Sequence, residues 1–145
     1  LILCAIIIWI TAFVVMFFAP RKPIPPLELY SQRWEITFPE DATVDYKYSN
    51  QGGWFGEGKA YTIIKFDTRP DELLQSFENQ KADVHAKEYN HIIKELLEDG
   101  MDESKLVALS DEFLYKRLAR AEYVDILILA YDENTNTLYY FEELK

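Results

Sequence analysis

Residues 122–141 have the sequence EYVDILILAYDENTNTLYYF, and this stretch decides the fold. Its first half, residues 122–131, is apolar on both faces for much of its length, which indicates an interior strand covered by helices. Residues 132–136 are polar turn formers, and residues 138–141 supply a returning strand. The stretch therefore predicts a β-hairpin.

Three further strand patterns lie upstream of this hairpin. In residues 33–38 and again in residues 42–49, apolar and polar side chains alternate. This period of two gives each predicted strand one face toward the core and one toward water. Residues 59–66 are enriched in β-branched and aromatic residues, which favours a third strand.

Helical patterns separate the two groups of strands. One helix is predicted to begin after Thr68, and an apolar stripe at helical spacing covers residues 82–98. One helix or two over residues 70–98 are both compatible with the pattern. A third helix is predicted after Ser110, carrying Phe113, Leu114 and Leu118. The predicted order is β-β-β-α-α-α-β-β, an α+β domain in which helices pack on one face of an antiparallel sheet of about five strands.

The first 19 residues, LILCAIIIWITAFVVMFFA, contain no charged side chain. A helix of this length spans about 28 Å, close to the roughly 30 Å hydrocarbon core of a bilayer. Signal-peptide cleavage is disfavoured because Phe17 is too large for the cleavage motif and Pro20 follows the cut. Cys4 fits as a small apolar residue of the span. We therefore predict a single transmembrane helix over residues 1–19, in contact with the lipid bilayer.

A proline-rich segment follows this predicted helix. Four of residues 20–26 are prolines, a composition that favours a stiff polyproline II conformation. We predict a juxtamembrane spacer over residues 20–29 that holds a domain of residues 30–145 away from the bilayer.

Residues 23–145 are strongly acidic. The fifteen basic residues of the chain, less Arg21 and Lys22, leave thirteen against twenty-five acidic residues, a net charge of −12. Nucleic-acid binding requires Lys and Arg to neutralise phosphate, so this balance argues against a nucleic-acid partner. It favours a protein partner of basic character. The single cysteine, Cys4, lies outside this part, which excludes a disulfide framework or a cysteine zinc site in residues 23–145.

A glycine- and aromatic-rich loop connects the second and third predicted strands. Its glycines allow unusual backbone angles, but they lack the spacing of a nucleotide-binding fingerprint. Two interpretations stay open: a wide hairpin turn whose aromatic pair packs over the core edge, or a recognition loop whose aromatic pair anchors a partner. The candidate recognition residues are Gly53, Trp54, Phe55, Gly56, Glu57 and Gly58.

No residue pattern predicts catalysis, a metal or a cofactor. His85, Glu88 and His91 share the predicted second helix but spread over about 120° of its surface, so they do not converge on a metal. The sequence has no nucleophile motif, and we predict that the protein is not an enzyme. A hydrolase using paired carboxylates is the alternative. Glu142 and Glu143 are interpreted as a solvated strand end.

Three segments carry a resemblance to known proteins: the hydrophobic start, GGWFGEGKAYTIIKF at residues 52–66, and YDENTNTLYYFEE at residues 131–143. With these segments the chain resembles small single-span membrane proteins of unknown function from Gram-positive bacteria. The resemblance implies an extracytoplasmic domain without an assigned activity.

Two features disagree about the side of the membrane. Arg21 and Lys22 follow the predicted span and favour a cytoplasmic domain by the positive-inside rule. The proline-rich spacer, the aromatic-rich domain and the resemblance favour the outside, which is our expectation. The expected function is an extracytoplasmic protein-interaction or accessory domain, for example an immunity-like factor. A carboxylate hydrolase and a small structural subunit of a membrane complex are the alternatives.

Overall fold

The computed structural model describes residues 23–52, 56–120 and 124–145. Within them an antiparallel sheet is flanked by short helices, which confirms the α+β class. Along the chain the elements are α1 (Pro26–Trp34), β1 (Thr43–Ser49), β2 (Gly58–Lys65), α2 (Asp71–Leu74), β3 (Glu78–Asn79), a 3₁₀ turn (Ala82–His85), α3 (Ala86–Glu98), a second 3₁₀ turn (Glu103–Lys105), β4 (Leu114–Arg120), β5 (Asp125–Asp132) and β6 (Thr137–Leu144).

The sheet has six strands in the order β1-β2-β6-β5-β4-β3. Each pair is antiparallel, and β6 lies between β2 and β5. The hairpin predicted from residues 122–141 is confirmed as β5 and β6, joined by a turn in which Asn136 adopts a φ of 51°. Nearly every residue of these two strands is buried, because both faces of the sheet are covered.

Helices cover both faces of the sheet, so the prediction of a single helical layer is wrong. Helix α1 buries Tyr30 and Trp34 against one face, where Tyr30 stacks on Tyr140 at 4.1 Å between ring centroids. Helix α3 buries an apolar stripe on the other face. The stripe is formed by Ile92, Ile93 and Leu96, and it packs with Tyr61, Ile128 and Phe141 of the sheet.

The strand predicted over residues 33–38 is wrong, because its first residues complete α1. Pro26 suits the first turn of that helix, since its ring fixes a helical φ, and Glu35 ends the helix with a left-handed φ of 54°. Ile36, which follows the helix without regular secondary structure, is nevertheless buried in the core. Its burial accounts for the apolar position that suggested a strand. Residues 26–29, which the sequence analysis assigned to the proline-rich spacer, belong to this helix. Of the predicted spacer, only residues 23–25 are described without regular secondary structure.

The helix predicted after Ser110 is a strand, β4, paired with β5 along its length. Leu114 and Leu118 lie four residues apart, a spacing that places two residues on one face of a helix and also on one face of a strand. Between Thr68 and residue 98 the structure has one short and one longer helix, separated by β3. Gly100 ends α3 with a φ of 109°, as the sequence predicted.

No helix in residues 23–52, 56–120 or 124–145 combines the length and apolar character needed to cross a membrane. The predicted transmembrane helix, residues 1–19, lies outside these ranges.

Candidate functional site: a loop base held by two buried carboxylates

Two adjacent glutamates lie near the end of β6, and both are buried. Glu142 is 0% exposed and Glu143 is 3% exposed. Because successive strand residues point to opposite faces, Glu142 faces the α1 side of the sheet and Glu143 the α3 side. Burial of charged side chains is rare without compensating partners. The interpretation of these residues as a solvated strand end is therefore wrong.

Glu142 accepts four hydrogen bonds. Its Oε2 atom lies 2.6 Å from Arg33 Nη1 and 2.5 Å from Gln51 Nε2, and its Oε1 atom lies 2.5 Å from Trp34 Nε1 and 2.6 Å from the Tyr140 hydroxyl. Burial raises the pKa of Tyr140, with the charge of Glu142 adding to the effect, so the phenol keeps the proton it donates. The Arg33 guanidinium compensates the charge of the carboxylate.

Glu143 is surrounded by two lysines and a histidine on the opposite face. Its Oε1 atom lies 3.3 Å from Lys59 Nζ, 3.3 Å from His91 Nε2 and 3.4 Å from Lys145 Nζ. Lys59 also reaches Glu95 Oε2 at 2.6 Å, and this hydrogen bond lowers the pKa of the Glu95 carboxyl. A buried lysine is therefore shared by two carboxylates.

These two glutamates fix both ends of the loop between β1 and β2. Gln51, at the first end, bonds Glu142, and Lys59, at the second end, bonds Glu143. The ends are also tied to each other, since the Lys59 backbone N–H donates to Asn50 Oδ1 at 2.7 Å. A further backbone hydrogen bond joins the Gly52 N–H to the Glu57 carbonyl at 3.0 Å. Together these contacts form a base that holds the two ends of the loop in place.

Glycine is required at one position of this base. Gly58 has a φ of 129°, and a Cβ atom there would lie 2.8 Å from the Cα atom of Gln51. The two ends of the loop can therefore approach each other this closely only because residue 58 has no side chain. Of the six predicted recognition residues, Gly56, Glu57 and Gly58 are described, and Glu57 is exposed. Gly53, Trp54 and Phe55 lie outside the described residues.

The β4–β5 turn lies at the same end of the sheet as the loop. Val124 in this turn is 58% exposed and adopts a φ of 58°, an unfavourable angle for a β-branched residue. Arg120 connects the turn to α1, because its guanidinium lies 4.9 Å from the centroid of the Trp34 ring and its Nη2 atom bonds Asp125 at 2.6 Å. Sequence reasoning did not identify this turn.

The three helix residues considered as metal ligands do not converge. His85 is buried and stacks on Tyr115 at 4.7 Å, Glu88 pairs with Arg117 at 3.1 Å, and His91 lies beside Glu143. Within the described ranges, no group of three potential ligands is arranged to hold a metal ion.

The lowered pKa of Glu95 is unfavourable for a general acid, because the carboxyl loses its proton more readily. The carboxyls of Asp41 and Asp102 also have lowered pKa values, through hydrogen bonds from Thr68 and Ser104 respectively. These shifts suit carboxylates that accept hydrogen bonds within the fold.

Comparison with known proteins finds no matching family model, no matching curated protein and no matching solved structure. The sequence resemblance to small single-span proteins of Gram-positive bacteria therefore remains an expectation.

Proposed function

We propose that the chain is a membrane-tethered interaction domain that recognises a protein partner through the loop Gly53–Gly58. The observation that carries this proposal is the rigid loop base, in which Glu142 holds Gln51 and Glu143 holds Lys59. A loop on a fixed base loses less conformational entropy when it binds, so its aromatic residues gain more affinity per contact. Trp54 is the expected anchor, since tryptophan is enriched among the residues that dominate interface energy.

The partner is expected to carry basic groups around an apolar centre. Residues 23–145 have a net charge of −12, which attracts a cationic surface at long range, while Trp54 and Phe55 supply the apolar contact. An immunity-like or accessory role outside the cytoplasm, with residues 1–19 in the bilayer, is the setting we propose. A carboxylate hydrolase and a small structural subunit of a membrane complex are the alternatives.

The test uses the full-length chain in its native membrane. A photo-crosslinking amino acid at Glu57, which is exposed, is expected to trap a partner that the same probe at Val84 does not trap. Against the partner so identified, Trp54→Ala should weaken binding by about 30-fold, the loss typical of an interface hot spot. Val84→Ala removes an apolar side chain that is 60% exposed elsewhere on the surface and should leave binding unchanged.

Far-UV circular dichroism of each variant separates lost recognition from lost folding. Equal crosslinking from positions 57 and 84, or unchanged affinity of a folded Trp54→Ala variant, would refute the proposal. The side of the membrane is tested independently with Glu57→Cys and a membrane-impermeant maleimide. Labelling of intact cells is expected, whereas labelling only after lysis would place the domain in the cytoplasm.

A further inference from the structure

A groove lies at the other end of the sheet from the two buried glutamates. Lys65 pairs with Thr137 at this end, whereas Gly58 pairs with Leu144 at the loop end. The groove measures about 520 Å³ and runs between the sheet and residues 104–107, which comprise the end of the second 3₁₀ turn and the two residues after it. This volume falls within the 300–1,000 Å³ range of small-molecule sites. Its lining comprises Asp45, Ile63, Lys65, Ser104, Lys105, Leu106, Val107, Thr135, Thr137 and Tyr139.

Hydrogen bonds to its backbone hold one wall of the groove, residues 104–107, in place. The Tyr61 hydroxyl donates to the Lys105 carbonyl at 2.9 Å, and the Tyr89 hydroxyl donates to the Val107 carbonyl at 2.6 Å. Burial raises the pKa of Tyr89 to about 12, so this phenol remains a donor at neutral pH. Two tyrosines, one from the sheet and one from α3, thus fix the end of the second 3₁₀ turn and the irregular residues that follow it. The groove is therefore preformed.

The floor and the rim of the groove differ in chemistry. Ile63 and Tyr139 form an apolar floor, and the Tyr139 ring is itself supported by stacking on Phe113 at 5.8 Å. Lys65 and Lys105 contribute ammonium groups at the rim, beside hydroxyl side chains. A flat apolar floor with cationic and hydroxyl groups around it complements a flat apolar molecule that carries an anionic group.

The groove has more basic than acidic residues in its lining, although the chain as a whole is acidic. Its lining contains two lysines and one acid, Asp45, whereas the whole chain has a net charge of −10. Asp45 Oδ2 lies 3.3 Å from Lys65 Nζ, so the acid positions that lysine, while Lys105 belongs to the segment of residues 104–107. A local cationic site within an acidic protein selects anionic ligands over cationic ones.

We propose that this groove binds a small molecule with a flat aromatic or alicyclic body and one anionic group, such as a carboxylate, sulfonate or phosphate. The body lies on Ile63 and Tyr139, and the anionic group lies between Lys65 and Lys105. This site is separate from the loop Gly53–Gly58, and the proposal does not depend on the function proposed for that loop.

The test is an NMR titration of the isotope-labelled full chain in lipid nanodiscs, with naphthalene-2-sulfonate as the probe. Saturable shifts are expected at the backbone amides of residues 104–107 and 135–139. Lys105→Gln and Lys65→Gln should each raise the dissociation constant about fivefold, the effect of one exposed charge interaction. Lys87→Gln is the matched control, because Lys87 is an exposed lysine on α3, and it should not change the constant.

An uncharged analogue makes the test specific for the anionic group. Naphthalene-2-sulfonamide has nearly the same shape, and it should bind the wild type about 25-fold more weakly than the sulfonate does, because it loses the interaction with both lysines. Lys105→Gln should cause no further loss in its binding. Absence of saturable shifts in the two segments, shifts located elsewhere, or equal sulfonate binding by wild type and both lysine variants would each overturn the proposal. The amide spectrum of each variant also reports whether it is folded.

Discussion

Glu142 and Glu143 are neighbours in sequence, yet the two faces of the sheet give them different surroundings. Glu142 is enclosed by donors that are themselves shielded, since the Arg33 side chain is 17% exposed and Trp34 is buried. Two of the three partners of Glu143 are more open to water, since the side chains of His91 and Lys145 are 51% and 50% exposed. The third, Lys59, is buried but is also paired with Glu95.

The difference shows that burial of the carboxylate alone does not determine how much free energy of unfolding is lost when it is removed. Removing one member of a shielded pair leaves charged and polar partners without compensation. Removing a carboxylate whose partners can turn to solvent leaves them hydrated. We therefore expect removal of the two carboxylates to differ in its effect on the free energy of unfolding and in the salt dependence of that effect.

The largest expected effect is that of Glu142→Ala. The substitution leaves the guanidinium of Arg33 and three neutral donors without their acceptor, and we expect it to lower the free energy of unfolding by about 3 kcal/mol. This is the lower end of the range for a buried pair, because Arg33 retains some access to water. Urea unfolding followed by far-UV circular dichroism measures the loss, with Glu143→Ala measured in parallel. An equal or larger loss in Glu143→Ala would contradict the comparison.

The sequence predicted those elements whose apolar residues repeat with the period of a strand or of a helix, but not of both. The hairpin of β5 and β6, the helix α3 and its end at Gly100 all follow from local signals. It failed at β4, because the spacing of Leu114 and Leu118 fits a helix and a strand equally well. Pairing with β5 decides the outcome there, and pairing partners are not visible in a single chain's pattern.

The candidate site could be predicted only in part for a similar reason. Local glycine content identified the loop, whereas its base depends on residues 91 positions apart, Gln51 and Glu142. One local signal does indicate the burial of the two acids: Phe141 precedes them and Leu144 follows them, so apolar strand residues lie on both sides. When a strand pattern extends beyond two acidic residues, these acids lie within the sheet, where a buried carboxylate needs hydrogen-bond donors or cations as partners.

A smaller loss is expected for Glu143→Ala. His91 and Lys145 can hydrate after the substitution, and Lys59 keeps its contact with Glu95 at 2.6 Å. We expect a loss of about 1 kcal/mol at low ionic strength. In 1 M salt, where charges are screened over about 3 Å, most of this loss should disappear, while that of Glu142→Ala should persist. Urea unfolding at both ionic strengths tests this contrast, and a loss in Glu143→Ala that salt does not change would show that Glu143 is as shielded as Glu142.

The smallest expected effect is a pH dependence on the α3 face, where His85 is buried at the end of the 3₁₀ turn that precedes α3. Its Nε2 atom lies 2.8 Å from Gln80 Oε1, while its Nδ1 atom has no hydrogen-bond partner among the described residues. Burial lowers the pKa of His85. Among the charged groups facing it, Arg117 of β4 also lowers this pKa, and Glu88 of α3 opposes the shift.

A histidine with a lowered pKa binds fewer protons in the folded state than in the unfolded state. Its contribution to stability is therefore complete above about pH 6.5, the usual histidine value, and declines as the pH falls below it. His85→Phe keeps a ring against Tyr115 and should abolish this decline between about pH 6.5 and pH 5, above the range in which most carboxyls titrate. The measurement is the urea midpoint at a series of pH values. His91→Gln is the control that leaves His85 in place, so the decline should remain there; an unchanged decline in His85→Phe would assign the pH response to another group.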